Sequence, residues 1–277
     1  MPSHIRIEHH GAVGVLSIAR RDQFNSLDVE TAQDLRKAGL QLSRDRDVRA
    51  VVLRGDGGVF CSGADLKYIA RGGDDDVSYL SPDARPNAPG YGKIFKQILE
   101  YIHSTISEIR RAPKPWLAAV DGPTAAGGLG IAMACDLVVA TERATFEWAY
   151  FKTGLTGAES TTFLLPRLVG FHRAMELVLL GDRLTARDAQ AIGLVNRVVP
   201  DGELDARTLE LAQRLAEAPT AAVAGAKRLL NRAAGMDHLD VQLDAELAEL
   251  ARIADGDNFA EGLSAFLDHR APRFGVE

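Results

Sequence analysis

Two small-residue passages in this chain offer backbone amides, rather than side chains, as chemical groups. One is Asp121-Gly-Pro-Thr-Ala-Ala-Gly-Gly-Leu-Gly-Ile-Ala-Met-Ala-Cys-Asp136, which follows the apolar run Trp116–Val120. The other is Gly55-Asp-Gly-Gly-Val-Phe-Cys-Ser-Gly-Ala-Asp-Leu66, which follows the β-branched run 48–53. Each reads as a buried strand that passes through a tight turn into a helix. A glycine pair at a helix start, here Gly127-Gly128, allows close backbone approach and leaves the first amide N–H groups free for negative charge. Two such turns aimed at one point would hold an oxyanion with no charged side chain. The same residues are also compatible with plain packing turns.

The elements that must position these turns follow from periodicity. Ile5-Arg-Ile-Glu8 and Val13-Gly-Val-Leu-Ser-Ile18 alternate around His10-Gly11, which predicts a β-hairpin. Asp28 is suited to cap a helix carrying Leu35, Leu40 and Leu42, and 48–53 then reads as a buried parallel strand. Residues 71–92 are acidic and full of breakers, so a loop is expected there, either plain or gating a substrate. Ile94, Ile98, Ile102, Ile106 and Ile109 predict an amphipathic helix ending before Pro113 and Pro115. Strands are expected at 116–120, 137–140, 145–146 and 195–199, with helices at 160–168 and 173–180. Thr185-Ala-Arg-Asp188 has the form of a capping box. Beyond Pro200 four amphipathic helices follow one another, over 203–216, 221–234, 239–254 and 258–267. This predicts an α/β core over 1–200 and a helical subdomain over 201–277, packed away from the sheet and available for a subunit contact.

Bulk composition narrows the function classes. With a net charge of −6 and no basic block, the chain is not expected to bind nucleic acid. No apolar run approaches the ~20 residues that span a bilayer, so no membrane partner is expected. The N-terminal Met1-Pro-Ser-His-Ile-Arg-Ile-Glu lacks a signal-peptide core, and a cytoplasmic location is expected. Cys61 and Cys135 have no metal-type spacing and read as small buried thiols, and no metal is expected.

The order and spacing of several landmarks together resemble the crotonase (enoyl-CoA hydratase/isomerase) superfamily. These are Asn25-Ser-Leu27, Phe60-Cys-Ser-Gly-Ala-Asp-Leu66, Ala125-Ala-Gly-Gly-Leu-Gly130 with Ala134-Cys-Asp136, Leu165-Pro-Arg-Leu-Val-Gly170 and Gly193-Leu-Val-Asn-Arg-Val198. The resemblance implies the crotonase fold of stacked ββα units, a homotrimer or dimer of trimers, and an acyl-CoA substrate. Coenzyme A would then arrive as part of the thioester, with no permanently bound cofactor. It also implies an oxyanion hole formed by the N–H groups of Ala64 and Gly127. Ser62 and Gly63 become candidate coenzyme A contacts, and Gly128 a further substrate-binding position. Asp65 would contact substrate or act as a dipole-favoured charge at a helix start.

The chain departs from the family at its acid/base positions. The two hydratase glutamates correspond to Gly130 and Tyr150, so ordinary two-carboxylate hydration is not expected. The isomerase aspartate corresponds to Ala158, followed directly by Glu159. The Gly-Gly-Leu-Gly turn, the aromatic Tyr150 and His103 are closer to the 4-chlorobenzoyl-CoA dehalogenase branch. There the His is a base, the aromatic lines an aryl pocket, and the attacking Asp again corresponds to Ala158. Glu159 is therefore either a replacement carboxylate or a helix-start charge, and His103 either a base or a half-buried helix residue. Tyr150 and Trp148 are candidate pocket walls or core. Glu246 stands where the dehalogenase branch also has a Glu near the site, but is expected to be a solvated charge on an amphipathic helix. Lys227, Arg228, Arg270 and Arg273 are candidate phosphate contacts. The expected function is an acyl-CoA lyase, isomerase or hydrolase, or an aryl-CoA dehalogenase-like enzyme, whose catalytic set is Ala64, Gly127, His103 and Glu159; a non-catalytic acyl-CoA binder is the alternative.

Overall fold

The hairpin predicted at the N-terminus forms the edge of the main sheet. β1 (Ile5–His10) and β2 (Val13–Ile18) pair antiparallel, with His10 opposite Val13 and Gly11 at φ +61° in the turn. The computed structural model describes residues 4–73 and 90–275; residues 74–89, most of the segment read as a loop, lie outside the described residues. β3 (Ala50–Gly55), β4 (Trp116–Val120), β6 (Leu137–Thr141) and β9 (Arg197–Val199) then continue the sheet in parallel, giving the order β1-β2-β3-β4-β6-β9. A smaller sheet takes β5 (Pro123–Ala125), β7 (Thr145–Glu147) and β8 (Leu184–Thr185). This is an α/β arrangement of the class that the sequence implies, a largely parallel sheet with helices on both faces.

Both faces of the parallel strands are covered, which explains their unbroken apolar runs. Val51, Leu53, Trp116, Ala118 and Val120 face α1 (Val29–Arg44) and α3 (Tyr91–Arg111) in the main core. Val52, Leu117 and Ala119 face the other way, onto Leu204, Leu211 and Ala212 of α8 (Leu204–Glu217). The last contact corrects one expectation: the helical tail does not all pack away from the sheet. The change of character near Pro200 is a change of sequence rhythm, and α8 crosses back to close the core. Of the remaining tail, α10 (Leu239–Ala254) packs on α3 and α11 (Asp257–Leu267) on the 3-10 turn Ala149–Thr153, whereas α9 (Thr220–Ala233) buries no residue.

Local signals hold where they were strongest. Asp28 caps α1 by accepting from Thr31 N–H, and Thr185 caps α7 (Ala186–Ala191) by accepting from Asp188 N–H. Every isoleucine of the α3 stripe is buried, and so is His103 beside it. Cys61 and Cys135 are free and buried, and burial pushes each thiol up to about 12.

Candidate active site

The two glycine turns are laced together by main chain. Phe60 N–H donates to Pro123 O and Ala125 N–H to Cys61 O, both at 3.1 Å, around a parallel bridge between Cys61 and Thr124. Leu27 N–H in turn donates to Gly63 O, and Asp65 N–H to Leu27 O. α2 (Leu66–Ala70) leaves the first turn and α4 (Gly127–Ala134) the second. Gly63, at φ +91°, permits the contact: a Cβ there would stand 2.9 Å from Ala126 Cβ and 3.1 Å from Gly127 N. Ala126 itself has φ 46° and ψ −118°, a conformation that L-residues rarely adopt. Neither Ala64 N–H nor Gly127 N–H finds a hydrogen-bond partner among the described residues. Both residues line one cavity of about 590 Å³. Gly128 serves packing, since a Cβ on it would fall 2.1 Å from Cys61 O.

A third passage brings a carboxylate to the same place. Glu159 and Ser160 are consecutive left-handed residues, at φ +51° and +64°, just before α5 (Thr161–Val169). Their amides are held from two different helices: Glu159 N–H donates to His103 Nε2 of α3 at 3.2 Å, and Ser160 N–H to Glu246 Oε2 of α10 at 2.8 Å. Glu246 also accepts from Thr162 N–H at 3.0 Å and from the Thr162 hydroxyl, so its carboxylate caps α5. The Glu159 side chain accepts from the Tyr150 hydroxyl at 2.5 Å through Oε2. Its other oxygen lies beside the second turn: a Cβ on Gly127 would be 2.7 Å from Oε1. A Cβ on Gly130 would be 2.1 Å from Glu159 O and 2.8 Å from Glu159 Cβ. The side chain missing at 130 is thus the space that the 159 turn occupies.

Burial sets the proton affinities. Desolvation, reinforced by the nearby Glu246 carboxylate, raises Glu159 to about 7 against the opposing effect of the Tyr150 hydrogen bond. Desolvation lowers His103 to about 4, so the imidazole is neutral near pH 7. Because Nε2 accepts the Glu159 amide, the proton of that neutral ring sits on Nδ1. Burial first, and then the Glu159 charge, push the Tyr150 phenol well above its ordinary value.

The other sequence-selected residues divide. Ser62, Asp65, Tyr150 and Glu159 border the cavity with Ala64 and Gly127. The Asp65 carboxylate is already engaged, accepting from Tyr68 N–H at 3.0 Å and from Arg20 at 2.7 Å. Gly63 and Trp148 do not line the cavity; Trp148 stands behind Tyr150 with ring centroids 4.9 Å apart. His103 is likewise not among the lining residues. Lys227 is spent internally, paired with Asp136 at 2.8 Å and donating to Ile109 O and Lys114 O, and Arg270 pairs with Glu261 at 2.6 Å. The expectation of a solvated Glu246 is corrected: it is 4% exposed. The signal was present, because Leu243, Glu246 and Leu250 recur on one helical face. Sequence reading also passed over Glu147, a buried cavity residue held by Arg183 at 3.0 Å and by Lys152. Among the described residues no cluster of His, Cys, Asp and Glu has the form of a metal site, and no helix is long and apolar enough to cross a membrane.

Comparison with known proteins matches residues 8–86 and 92–277 to the family model "Enoyl-CoA hydratase/isomerase". The chain belongs to the enoyl-CoA hydratase/isomerase family. It is 36% identical over 217 residues to 4-chlorobenzoyl coenzyme A dehalogenase-2 of an Arthrobacter species, covering 78% of this chain and 74% of that protein. It is 34% identical over 262 residues to 1,2-epoxyphenylacetyl-CoA isomerase of Escherichia coli (strain K12), covering 95% and 94%. Among solved structures, an enoyl-CoA hydratase from Mycobacterium avium subsp. paratuberculosis K-10 superposes with a TM-score of 0.85 at 30% identity, over 99% of each chain. As a crotonase-family member, this protein is an acyl-CoA-processing enzyme.

Proposed function

We propose that this enzyme moves a proton at the carbon chain of an acyl-CoA, using Glu159 as its single acid/base and the Ala64 and Gly127 N–H groups as its oxyanion hole. The reaction class is double-bond isomerisation, with a 3-enoyl-CoA as the simplest substrate. The carrying observation is a buried carboxylate, raised to about 7, packed against Gly127 in the same cavity, where the Gly127 N–H has no hydrogen-bond partner among the described residues. An ionised Glu159 removes a C2 proton, and the electron pair moves into a dienolate whose oxygen receives both N–H bonds. The protonated Glu159 then returns the proton at C4, leaving the 2-enoyl thioester. A pKa near the working pH suits a group that must both accept and donate. Preorganised N–H donors in a dry site supply the charge stabilisation, about 3–4 kcal/mol for each donor.

Two alternatives within the family fit less well. Hydration calls on carboxylates at 130 and 150, where this chain has Gly130 and Tyr150. Aryl substitution calls on an attacking carboxylate at Ala158, whereas Glu159 is tied to a phenol and half protonated at neutral pH. Coenzyme A as part of the substrate, a homo-oligomeric assembly and a cytoplasmic location belong to the same reading.

The test is turnover of a 3-enoyl-CoA in D2O, followed by mass spectrometry. Conversion to the 2-enoyl isomer with deuterium incorporation is expected. Glu159→Gln should slow it by about 10²–10⁴-fold while coenzyme A binding persists. Wild-type rates in that variant would refute the role of Glu159. Binding of every ester tried, with neither turnover nor exchange, would favour a silent acyl-CoA binder.

A further inference from the structure

The Glu159–Ser160 turn raises a question that the acid/base reading leaves open. Two consecutive non-glycine residues in the left-handed region are strained backbone, which persists only where its surroundings over-determine it. The two amides of this turn are each bound by a side chain far away in sequence, His103 from α3 and Glu246 from α10. Both anchors are buried, at 7% and 4% exposure, and neither lines the cavity. The acceptor atom of His103 is the one nitrogen of its neutral ring with a free lone pair, and the Glu159 amide already uses it.

We infer that His103 and Glu246 are positioning residues that hold the Glu159 carboxylate at the oxyanion hole by clamping the amides of its strained turn. Under this assignment His103 is an acceptor for the backbone, not the base of the reaction. The inference rests on the acid/base reading of Glu159 for its functional consequence, but the clamp itself is a statement about backbone amides. Three observations converge on it. The imidazole nitrogen that a base would use is occupied. Its ring is back from the cavity, with Glu159 between. The carboxylate is seated where Gly127 and Gly130 leave room for no side chain of their own, so a small rotation of the turn would drive it into α4 or away from the cavity. Burial holds His103 neutral, which keeps the acceptor available throughout the neutral range. The ionisable groups around Glu159 are Tyr150, which touches it, Glu246, His103 and Cys61.

His103→Leu and His103→Gln separate the two roles, because a glutamine Oε1 can accept an amide but cannot serve as a base. The readouts are kcat and KM for the 3-enoyl-CoA and deuterium uptake of the peptide spanning 158–163 in the full-length protein. The clamp predicts that His103→Leu lowers kcat by about 10²-fold, the typical cost of an ångström-scale misplacement, leaves KM near wild type, and speeds exchange at 159–160. His103→Gln restores protection and returns kcat to the wild-type order of magnitude. Glu246→Gln, which keeps one acceptor but loses the charge, should move the acidic limb of the kcat profile to lower pH, because the Glu246 charge helps to raise Glu159. His103→Gln as inactive as His103→Leu, with the amides still protected, would overturn the inference and make the imidazole a chemical base. Unchanged exchange in His103→Leu would overturn it as well. If Glu159→Gln retains full turnover, the acid/base reading fails separately, and the exchange experiment still decides whether the clamp exists.

Discussion

Glu159 and His103 touch through one amide, yet their proton affinities move in opposite directions with the same cause. Glu159 is raised from 4.5 to about 7, so the folded protein holds a proton that the unfolded chain has released. Its contribution is present below pH 4.5 and is lost as pH rises through 7. His103 is lowered from 6.5 to about 4, so its contribution is present above pH 6.5 and is lost as pH falls towards 4. Each amounts to about 3 kcal/mol, and the two slopes oppose one another over the window they share. The contributions of these two groups should therefore nearly cancel between pH 4.5 and 6.5, so chemical denaturation of the wild type as a function of pH is the reference for variants lacking one of them. Against that reference, removing the histidine as His103→Gln should leave a stability that declines through that range, and removing the carboxylate as Glu159→Gln one that rises. Parallel curves for all three proteins would show that neither group is buried as described. At this scale the sequence was half legible. That two glycine turns would offer backbone amides could be read from strand–turn–helix order, whereas the choice of Ala64 and Gly127 as the donors came from the family resemblance. The choice between a catalytic and a surface Glu159 could not, since two left-handed residues without glycine leave no local signature. Glu246 was misjudged by weighing its charge above its place in the Leu243–Leu250 stripe.

At the scale of elements, the site is a junction of three backbone passages and a contest for space between two of them. α4 begins in glycines because Cys61 O and the 159 turn press against it, each within 2.1 Å of where a Cβ would be on Gly128 or Gly130. Gly130→Ala should then cost about 1–3 kcal/mol of stability and slow turnover as Glu159 is displaced, measurable by thermal unfolding and by the isomerisation assay. Gly130→Glu should not yield a hydratase, since the incoming side chain and the 159 turn cannot both fit; hydration of crotonyl-CoA by that variant would contradict the packing. The elements themselves were largely legible, from the α3 isoleucines to the Thr185 cap, because periodicity and capping are local. Their partners were not. Nothing in the α8 pattern distinguishes a helix that covers Val52 and Leu117 from one that leaves the sheet.

The whole molecule carries apolar surface that the single chain does not cover. α9 has no buried residue, Leu229 and Leu230 on it are 68% and 71% exposed, and Phe171 and Leu180 of α6 (Phe171–Leu180) are 68% and 66% exposed. Exposed large apolar residues on these two helices make them the places where a subunit contact is expected. Sedimentation should give a multiple of the 29.8 kDa chain mass, and Leu230→Asp should lower that multiple. A wild-type monomer at micromolar concentration would exclude the assembly.

The crowding at Gly130 also sets what a larger residue there must bring with it. A side chain at 130 and the 159 turn need one volume, so neither fits while the other stands. A relative of this chain with a glutamate at the position of Gly130 is therefore expected to follow a different backbone path at the positions of Glu159 and Ser160, which superposition of its solved structure would check.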